Sequence, residues 1–302
     1  MNIYTSKDMQ EIDRITIEEA GIPSLVLMEN AAKAVVREMV SNFEANFLKN
    51  CLIIAGKGNN GGDGIAVGRI LHHLGFNPSI FVLGEFEELS KDAKIQAEKF
   101  LGYGKIFFLS AQNFWEELEI KLKNCNLVVD AILGTGTKGK VSGNYEKIIL
   151  LINQSTAQKI SIDIPSGLSG DSFLPLGAAV YTDLTVTLGG LKLPLSSPEC
   201  EEFCGKVVKV DIGLSQNAFE RIKPAAETID LECVRRFFSE RDNFTHKGKL
   251  GHLLIVAGGK GKIGAAILSA KGALRAGAGL VTVATPRTIA PFVTTAIPET
   301  MT

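Results

Sequence analysis

Four polar residues follow apolar, strand-like runs and carry oxygen atoms that could bind a cation. They are Asn60, Asp130, Asp163 and Ser166. In an open α/β sheet the ligand crevice lies outside the carboxyl ends of the strands, so these side chains are expected at one edge. An amide oxygen, a carboxylate, a hydroxyl and loop carbonyls make the all-oxygen shell that hard cations prefer. For any single aspartate at a strand end, the alternative is ordinary helix capping.

Asp130 adds to this hypothesis because it lies within an apolar run, residues 128–132. A carboxylate in such a run is costly to bury unless a partner compensates its charge. A bound cation is the simplest partner.

A glycine-rich segment follows the apolar run at residues 51–55. Its glycines permit tight turns and allow a ligand to approach the backbone closely. Asp63 is predicted to cap the helix that comes next. Free backbone N–H groups at the start of that helix could bind a phosphate. The segment is therefore predicted to be a strand, a glycine-rich loop and a helix N-terminus.

The same segment leaves other functions open. Residues 56–61 match the pattern Gly-x-Gly-x-x-Gly, and Glu85 follows the next predicted strand, as a dinucleotide-binding fingerprint requires. A nicotinamide-dependent oxidoreductase is thus one alternative. Against it, Asn59 and Asn60 supply carboxamides that phosphate binding alone does not need. A non-catalytic nucleotide-binding module and a plain tight turn are the remaining alternatives.

The elements that would position these residues alternate along the chain. Strands are predicted at 51–55, 78–83, 106–109, 127–133, 159–164, 184–188 and 206–211, and helices at 6–20, 24–47, 91–101, 113–123 and 145–152. This alternation predicts an α/β fold with a mostly parallel sheet and helices on both faces. In the second helix, Glu29 and Asn30 either face solvent or reach over the glycine loop.

Composition excludes several classes of protein. With 302 residues the chain can form one large or two ordinary domains, and 45% hydrophobic residues suffice for a core. A net charge of −1 gives no reason to expect nucleic acid or a membrane as partner. No spanning apolar run or signal peptide is recognised. Five scattered cysteines indicate a reducing compartment, so a cytoplasmic location is predicted. Homo-oligomerisation is left open.

Several motifs, in order, resemble those of the NAD(P)H-hydrate epimerase family. They are LMENA at 27–31, GNNGGDG at 58–64, VDAILGTG at 129–136, DIPSG at 163–167 and DLTVT at 183–187. The resemblance covers residues 1–214. It implies a Rossmann-like domain that binds K⁺ and acts as an isomerase in metabolite repair. That family interconverts the R and S epimers of NADH and NADPH hydrated at C6.

The resemblance also implies residue roles. Asn60, Asp130 and Ser166 would ligate K⁺. The hydrated dinucleotide would contact Asn59, Asn60, Gly61, Gly62, Asp63, Gly134, Thr135, Gly136, Thr137, Lys138, Gly139, Lys140 and Asp163. Epimerisation at C6, by hydroxide loss and return or by ring opening, requires a group that moves a proton. Asp163 is predicted to be this catalytic group. Lys192 is a second candidate, and its alternative is a solvated lysine.

Residues 246–302 resemble the beginning of the ADP- or ATP-dependent NAD(P)H-hydrate dehydratase, a lyase with a ribokinase-like α/β fold. The motif at 252–259 and the segment at 271–284 carry this resemblance. It implies a bifunctional repair enzyme whose dehydratase nucleotide-binding and catalytic region would lie beyond Thr302. We therefore expect a truncated dehydratase domain without activity of its own, joined by a linker at 215–245. Two buried strands, around Val256 and Val281, are predicted in it.

Overall fold

The computed structural model describes residues 1–238 and 244–302. These form two compact units, Met1–Asp230 and Leu231–Thr302. Part of the linker predicted at 215–245 lies outside the described residues. In the described residues, no helix is both long enough and apolar enough to cross a membrane.

The first unit is organised around a seven-stranded sheet. The strands of the whole unit are β1 (Asn2–Tyr4), β2 (Cys51–Ala55), β3 (Ser79–Val82), β4 (Ile106–Phe108), β5 (Leu127–Ala131), β6 (Gln158–Ile162), β7 (Leu184–Leu188), β8 (Leu191–Lys192), β9 (Lys206–Val210) and β10 (Ala226–Glu227). Seven of them pair in the order β4-β3-β2-β5-β6-β7-β9. Every neighbouring pair in this sheet is parallel. The predicted α/β fold is confirmed.

The helices of this unit cover both faces of the sheet. They are α1 (Ser6–Arg14), continued by a π-helix at Ile15–Glu19, α2 (Ser24–Asn42), α3 (Ala45–Lys49), α4 (Asn59–His73), α5 (Lys91–Leu101), α6 (Phe114–Asn124), α7 (Asn144–Gln154), α8 (Glu201–Cys204) and α9 (Gln216–Arg221). Ile53 of β2 packs in a core with α2, α4 and α5. Leu52 and Ile54 pack with α6 and α7 instead. Since successive strand side chains point to opposite faces, a strand covered on both sides is apolar throughout.

The order of the strands creates a switch point between β2 and β5. From β2 the chain moves outward through β3 to β4, and from β5 it moves the other way through β6, β7 and β9. The connections after β2 and β5 therefore leave in opposite directions and open a crevice at the carboxyl ends of these strands. Ligands of open α/β sheets bind at such a point.

The first unit continues beyond the predicted boundary at residue 214. Strand β1 pairs in parallel with β8 and antiparallel with β10. Ala218 of α9 is fully buried in a small core with Met9 and Ile12 of α1. Because these contacts attach α9 and β10 to the N-terminal segment, the unit extends to Asp230.

The second unit contains the predicted strand–helix–strand. Its elements are α10 (Leu231–Arg235), β11 (His252–Val256), α11 (Ile263–Ala276), β12 (Leu280–Ala284) and α12 (Ala290–Ala296). Strands β11 and β12 are parallel. Val281 and Val283 are buried with side chains of α11 and α12, but Val256 is 80% exposed. The prediction of two buried strands is therefore wrong for β11, because the core formed with α11 and α12 is centred on β12.

Helix α4 begins at Asn59, with Gly58 as its N-cap. The prediction that Asp63 caps this helix is wrong, because Asp63 lies inside it. Its glycines instead allow close packing. A Cβ on Gly61 would lie 1.8 Å from the carbonyl oxygen of Gly56, and one on Gly64 would lie 2.5 Å from Ala131 Cβ. The helix consequently starts directly against the ends of β2 and β5.

We expect Gly61→Ala to lower the free energy of unfolding by about 1–3 kcal/mol or more, because overpacking typically costs this amount. The added methyl would meet backbone, which cannot move aside as a flexible side chain can. Gly58→Ala is the matched control, because a Cβ there has no atom within 4 Å. Thermal unfolding measures both. Equal stability of the two variants would contradict this account of the glycine spacing.

Candidate active site at the carboxyl edge of the sheet

A cavity of about 680 Å³ lies at the switch point of the first unit. It is bounded by α1, α2, the start of α4 and the loops that follow β5 and β6. Its lining includes Asn59, Asn60, Asp63, Asp163 and Lys192, together with the whole loop 134–140. Gly61 and Gly62, also predicted to contact the dinucleotide, are buried beneath it in α4. This volume lies within the range of small-molecule and cofactor sites.

Asn60 and Ser166 meet at the backbone of Leu133, in the loop after β5. The Asn60 side-chain amide donates to the Leu133 carbonyl oxygen at 3.1 Å. The Leu133 N–H donates to the Ser166 hydroxyl oxygen at 2.8 Å. Within the described part of the chain, the buried Asn60 Oδ1 has no hydrogen-bond partner. An unpartnered buried oxygen is costly, so this atom is a candidate cation ligand.

Asp130 is fully buried beneath this loop, at the end of β5. Its carboxylate accepts hydrogen bonds from the Ser161 hydroxyl at 2.8 Å and from the Ser166 N–H at 2.8 Å. The Ser166 hydroxyl and the Ile132 N–H donate to its other oxygen. Burial raises the pKa of Asp130, and the hydrogen bonds from Ser166 and Ser161 oppose that rise. Asp130, Ser166 and Asn60 thus form one connected group of oxygen donors.

Asp163 lies just beyond β6 in an unusual backbone conformation. Its φ of +69° makes it the one non-glycine residue with positive φ among residues 1–238 and 244–302. The Asp163 N–H donates to the Val186 carbonyl, and the Leu188 N–H donates to Asp163 Oδ1 at 3.1 Å. Such strain persists only where surrounding contacts hold it, and it concentrates at functional sites.

Lys192 forms an ion pair with Asp163 Oδ1 and is only 2% exposed. Its ammonium also donates to the Thr187 hydroxyl at 3.0 Å and to the Leu188 carbonyl at 2.8 Å. The alternative of a solvated lysine is therefore wrong. The hydrogen bonds to the Asp163 carboxylate all reach Oδ1, which leaves Oδ2 without a bond to any described residue. This oxygen can accept or donate a proton within the cavity.

Two polar features predicted from the sequence lie outside the cavity. Glu85, the acidic residue required by the oxidoreductase alternative, accepts hydrogen bonds from the Ser110 N–H at 2.8 Å and from its hydroxyl. Glu29 pairs with Arg69 and accepts hydrogen bonds from Gln96 and Lys99, joining α2 to α4 and α5. Asn30 donates to the Ile212 carbonyl at 3.0 Å. Neither Glu85 nor the Glu29–Asn30 pair lines the cavity.

The sequence of this first unit matches a known family. A family model described as YjeF-related protein N-terminus matches residues 24–193. The chain belongs to this family. A second model, described as NAD(P)H-hydrate dehydratase, matches residues 253–302. The resemblance inferred from the motifs is confirmed for both parts of the chain.

Relatives of two lengths support this assignment. The bifunctional NAD(P)H-hydrate repair enzyme of Moorella thermoacetica is 35% identical over the whole of this chain. This chain covers 57% of that relative, and so spans about half the length of the bifunctional relatives it matches. The NAD(P)H-hydrate epimerase of Oenococcus oeni is 38% identical over 210 residues, which are 70% of this chain and 96% of the relative.

A solved structure agrees with the fold of the YjeF-related unit. The crystal structure of the yeast protein YNL200c superposes with a TM-score of 0.61. The match covers 76% of this chain and 98% of the yeast chain, at 20% sequence identity. At this identity the similarity shows the fold alone.

The YjeF-related motifs account for most of the site, but they miss two acidic residues. Asp13 of α1 and Asp92 of α5 also line the cavity. Burial raises the pKa of Asp13 to about 6; the charge of Asp163 adds to the rise and Lys192 opposes it. A signal for Asp13 was available, because it follows the buried Met9 by four residues and so shares its side of the helix.

Proposed function

We propose that the first unit interconverts the R and S epimers of hydrated NADH and NADPH. The observation that carries this proposal is the ion pair between Asp163 and the buried Lys192, both of which line the cavity at the switch point of a YjeF-related domain. The shorter relatives, of which this chain covers 96% and 97%, are named NAD(P)H-hydrate epimerase, and these names support the same activity.

Substrate binding is proposed to use the start of α4 and the loop 134–140. The first turn of α4 presents free N–H groups at the cavity, where a phosphate is favoured by the helix dipole. Lys138 and Lys140 are exposed on the loop and line the same cavity, so they can neutralise the phosphates. Asn59 and Asp63 line the cavity beside them.

Asp163 is proposed to move the proton that epimerisation at C6 requires. Its Oδ1 is held by Lys192 and by the Leu188 N–H, which fixes the orientation of the carboxylate. The remaining oxygen is available to the hydroxyl on C6 or to a water molecule. A positioned carboxylate contributes typically about 10²–10⁴-fold to such a reaction.

Asn60, Asp130 and Ser166 are proposed to hold K⁺. The unpartnered Asn60 Oδ1 and the all-oxygen character of these donors fit a hard, weakly hydrated cation. A bound K⁺ would supply a fixed positive charge at these oxygen donors. The protein residues bind that ion and orient the loop that follows β5.

The second activity and the location are also proposals. A protein that contains the complete dehydratase domain is proposed to dehydrate the S epimer with ADP or ATP, because residues 253–302 match that family. A cytoplasmic location is proposed because the chain has an odd number of cysteines, five, scattered along its length.

The purified chain should interconvert separated R and S hydrates of NADH, approaching one equilibrium mixture from either epimer. NADH oxidation should not accompany it, because epimerisation transfers no hydride. Chromatography resolves the epimers, and absorbance follows NADH in parallel. Oxidation of NADH without epimerisation would favour the oxidoreductase. Binding without either reaction would favour a nucleotide-binding module.

A further inference from the structure

Four carboxyl groups line the cavity, but the described lining contains a single buried cation. The carboxyl groups belong to Asp13, Asp63, Asp92 and Asp163. The cation is Lys192, and its ion pair is with Asp163. Like charges in one site disfavour each other. The neutral, protonated form is therefore favoured for at least one of the remaining three carboxyl groups.

Asp63 indicates that the cavity is built to hold a ligand. Its side chain is 8% exposed and lines the cavity, yet it makes no hydrogen bond within the described residues. Burial raises its pKa well above the ordinary value, and the charges of Asp163, Asp13 and Asp92 raise it further. A buried polar group without a partner is costly, so a polar ligand is expected to supply one.

Asp13 lines the same cavity as Asp63 but is half-buried, whereas Asp63 is buried. Burial raises the pKa of Asp13 to about 6, the charge of Asp163 adds to this rise, and the charge of Lys192 opposes it. The neighbouring Arg14 offers no counter-charge, because its guanidinium binds Glu11, Glu18 and Glu19. Asp13 can consequently gain and lose a proton near neutral pH.

We propose that Asp13 is a second acid–base residue of the epimerisation, serving the face of C6 that Asp163 does not serve. This inference rests on the proposed function. Water that leaves one face of a ring carbon and returns to the other needs a proton donor and a proton acceptor on opposite faces. Asp13 and Asp163 belong to different elements and line the same cavity, so they provide two such groups.

The reaction balances with these two carboxyl groups. One carboxyl gives its proton to the C6 hydroxyl, the C6–O bond breaks, and water leaves while the N1 lone pair forms a C6=N1 double bond. Water then adds to the opposite face of C6, the π electrons return to N1, and the second carboxylate takes the extra proton. The product is the other epimer, and nothing is oxidised or reduced. The proton that moved between the carboxyl groups returns through solvent.

The first test is the rate of epimerisation by Asp13→Asn. We expect kcat to fall about 10²–10⁴-fold, and equally in both directions because a catalyst cannot change the equilibrium. KM should change little. The matched control is Glu11→Gln, which removes an exposed carboxylate from the same helix and should keep the wild-type rate.

The pH profile distinguishes a catalytic role from a structural one. The two carboxyl groups must share one proton, so the wild-type rate should fall as pH rises above about 6. The residual rate of Asp13→Asn should not show this fall. A wild-type chain that does not interconvert the hydrates overturns the proposed function and this role with it. An active wild type with an equally active Asp13→Asn overturns the role of Asp13 alone.

Thermal unfolding gives a readout that needs no substrate. Because the folded-state pKa of Asp13 lies above its unfolded value of about 4, the folded state loses stability as pH rises from about 4 to 6. Asparagine carries no such charge, so Asp13→Asn should have a higher Tm than the wild type at pH 7 and a similar Tm at pH 4. If Asp13→Asn has no higher Tm than the wild type at pH 7, the proposed environment of Asp13 is refuted.

Discussion

Replacing Asp163 with asparagine is expected to reduce epimerisation about 10²–10⁴-fold while the hydrated dinucleotide still binds. Asparagine keeps the shape of the side chain and can still accept the hydrogen bond from the Leu188 N–H. It cannot take up a proton at C6. Steady-state rates with separated epimers, together with equilibrium binding, measure the two effects independently.

A loss of folding must be separated from a loss of chemistry in this variant. Asp163→Asn removes the partner of the buried Lys192, and an uncompensated buried charge costs about 3–5 kcal/mol. Combining it with Lys192→Met removes both charges and should recover much of the stability, but not the rate. Normal turnover by Asp163→Asn would show that another group carries the proton.

Asp130→Ala is expected to abolish the response to K⁺ and to weaken substrate binding. The carboxylate of Asp130 is fully buried and accepts hydrogen bonds from Ser161, Ser166 and Ile132. Removing one partner of a buried charged interaction typically costs about 3–5 kcal/mol. A ligand that binds the folded state raises Tm. The Tm of the wild type should therefore rise when K⁺ replaces Na⁺, and the Tm of Asp130→Ala should not.

Two further variants make this test specific. Ser161→Ala removes one hydrogen bond to Asp130 but no proposed ligand, so it should lower stability by about 1 kcal/mol and keep the K⁺ response. Asn60→Ala removes the unpartnered Oδ1, so it should lose the K⁺ response even if Asp130→Ala does not fold. A normal K⁺ response in Asn60→Ala would refute the proposed cation site.

Much of the fold could be predicted because apolar runs of strand length alternate with helical segments. The run at 51–55 became β2, and the run at 184–188 became β7 without any change of bounds. Helix boundaries near the site were predicted less well. The start of α4 was misjudged because glycine is a poor helix former in isolation. In α4, glycine is required because the helix packs closely against Gly56 and Ala131. Such contacts are not part of the intrinsic helix propensity of a residue.

The residues of the site divide in the same way. Asn60, Asp130, Ser166 and Asp163 stand in recognisable motifs at strand ends, so their proximity follows from a parallel sheet. Asp13 belongs to no such motif, and a single acidic residue on an amphipathic helix ordinarily faces solvent. Its spacing of four residues from the buried Met9 places Asp13 on the inner side of α1, but only the packing of α1 beside the cavity shows that it lines the site.

The sequence by itself determined the family, the α/β class, and the edge of the sheet at which polar groups would gather. These depend on local periodicity and on motif residues that are adjacent in the chain. The tertiary structure decided which charges meet. The pairing of Lys192 with Asp163, the unpartnered Asn60 Oδ1 and the raised pKa of Asp13 depend on burial and on contacts between distant segments. Electrostatic energies are set by distance and desolvation, which a linear sequence does not contain.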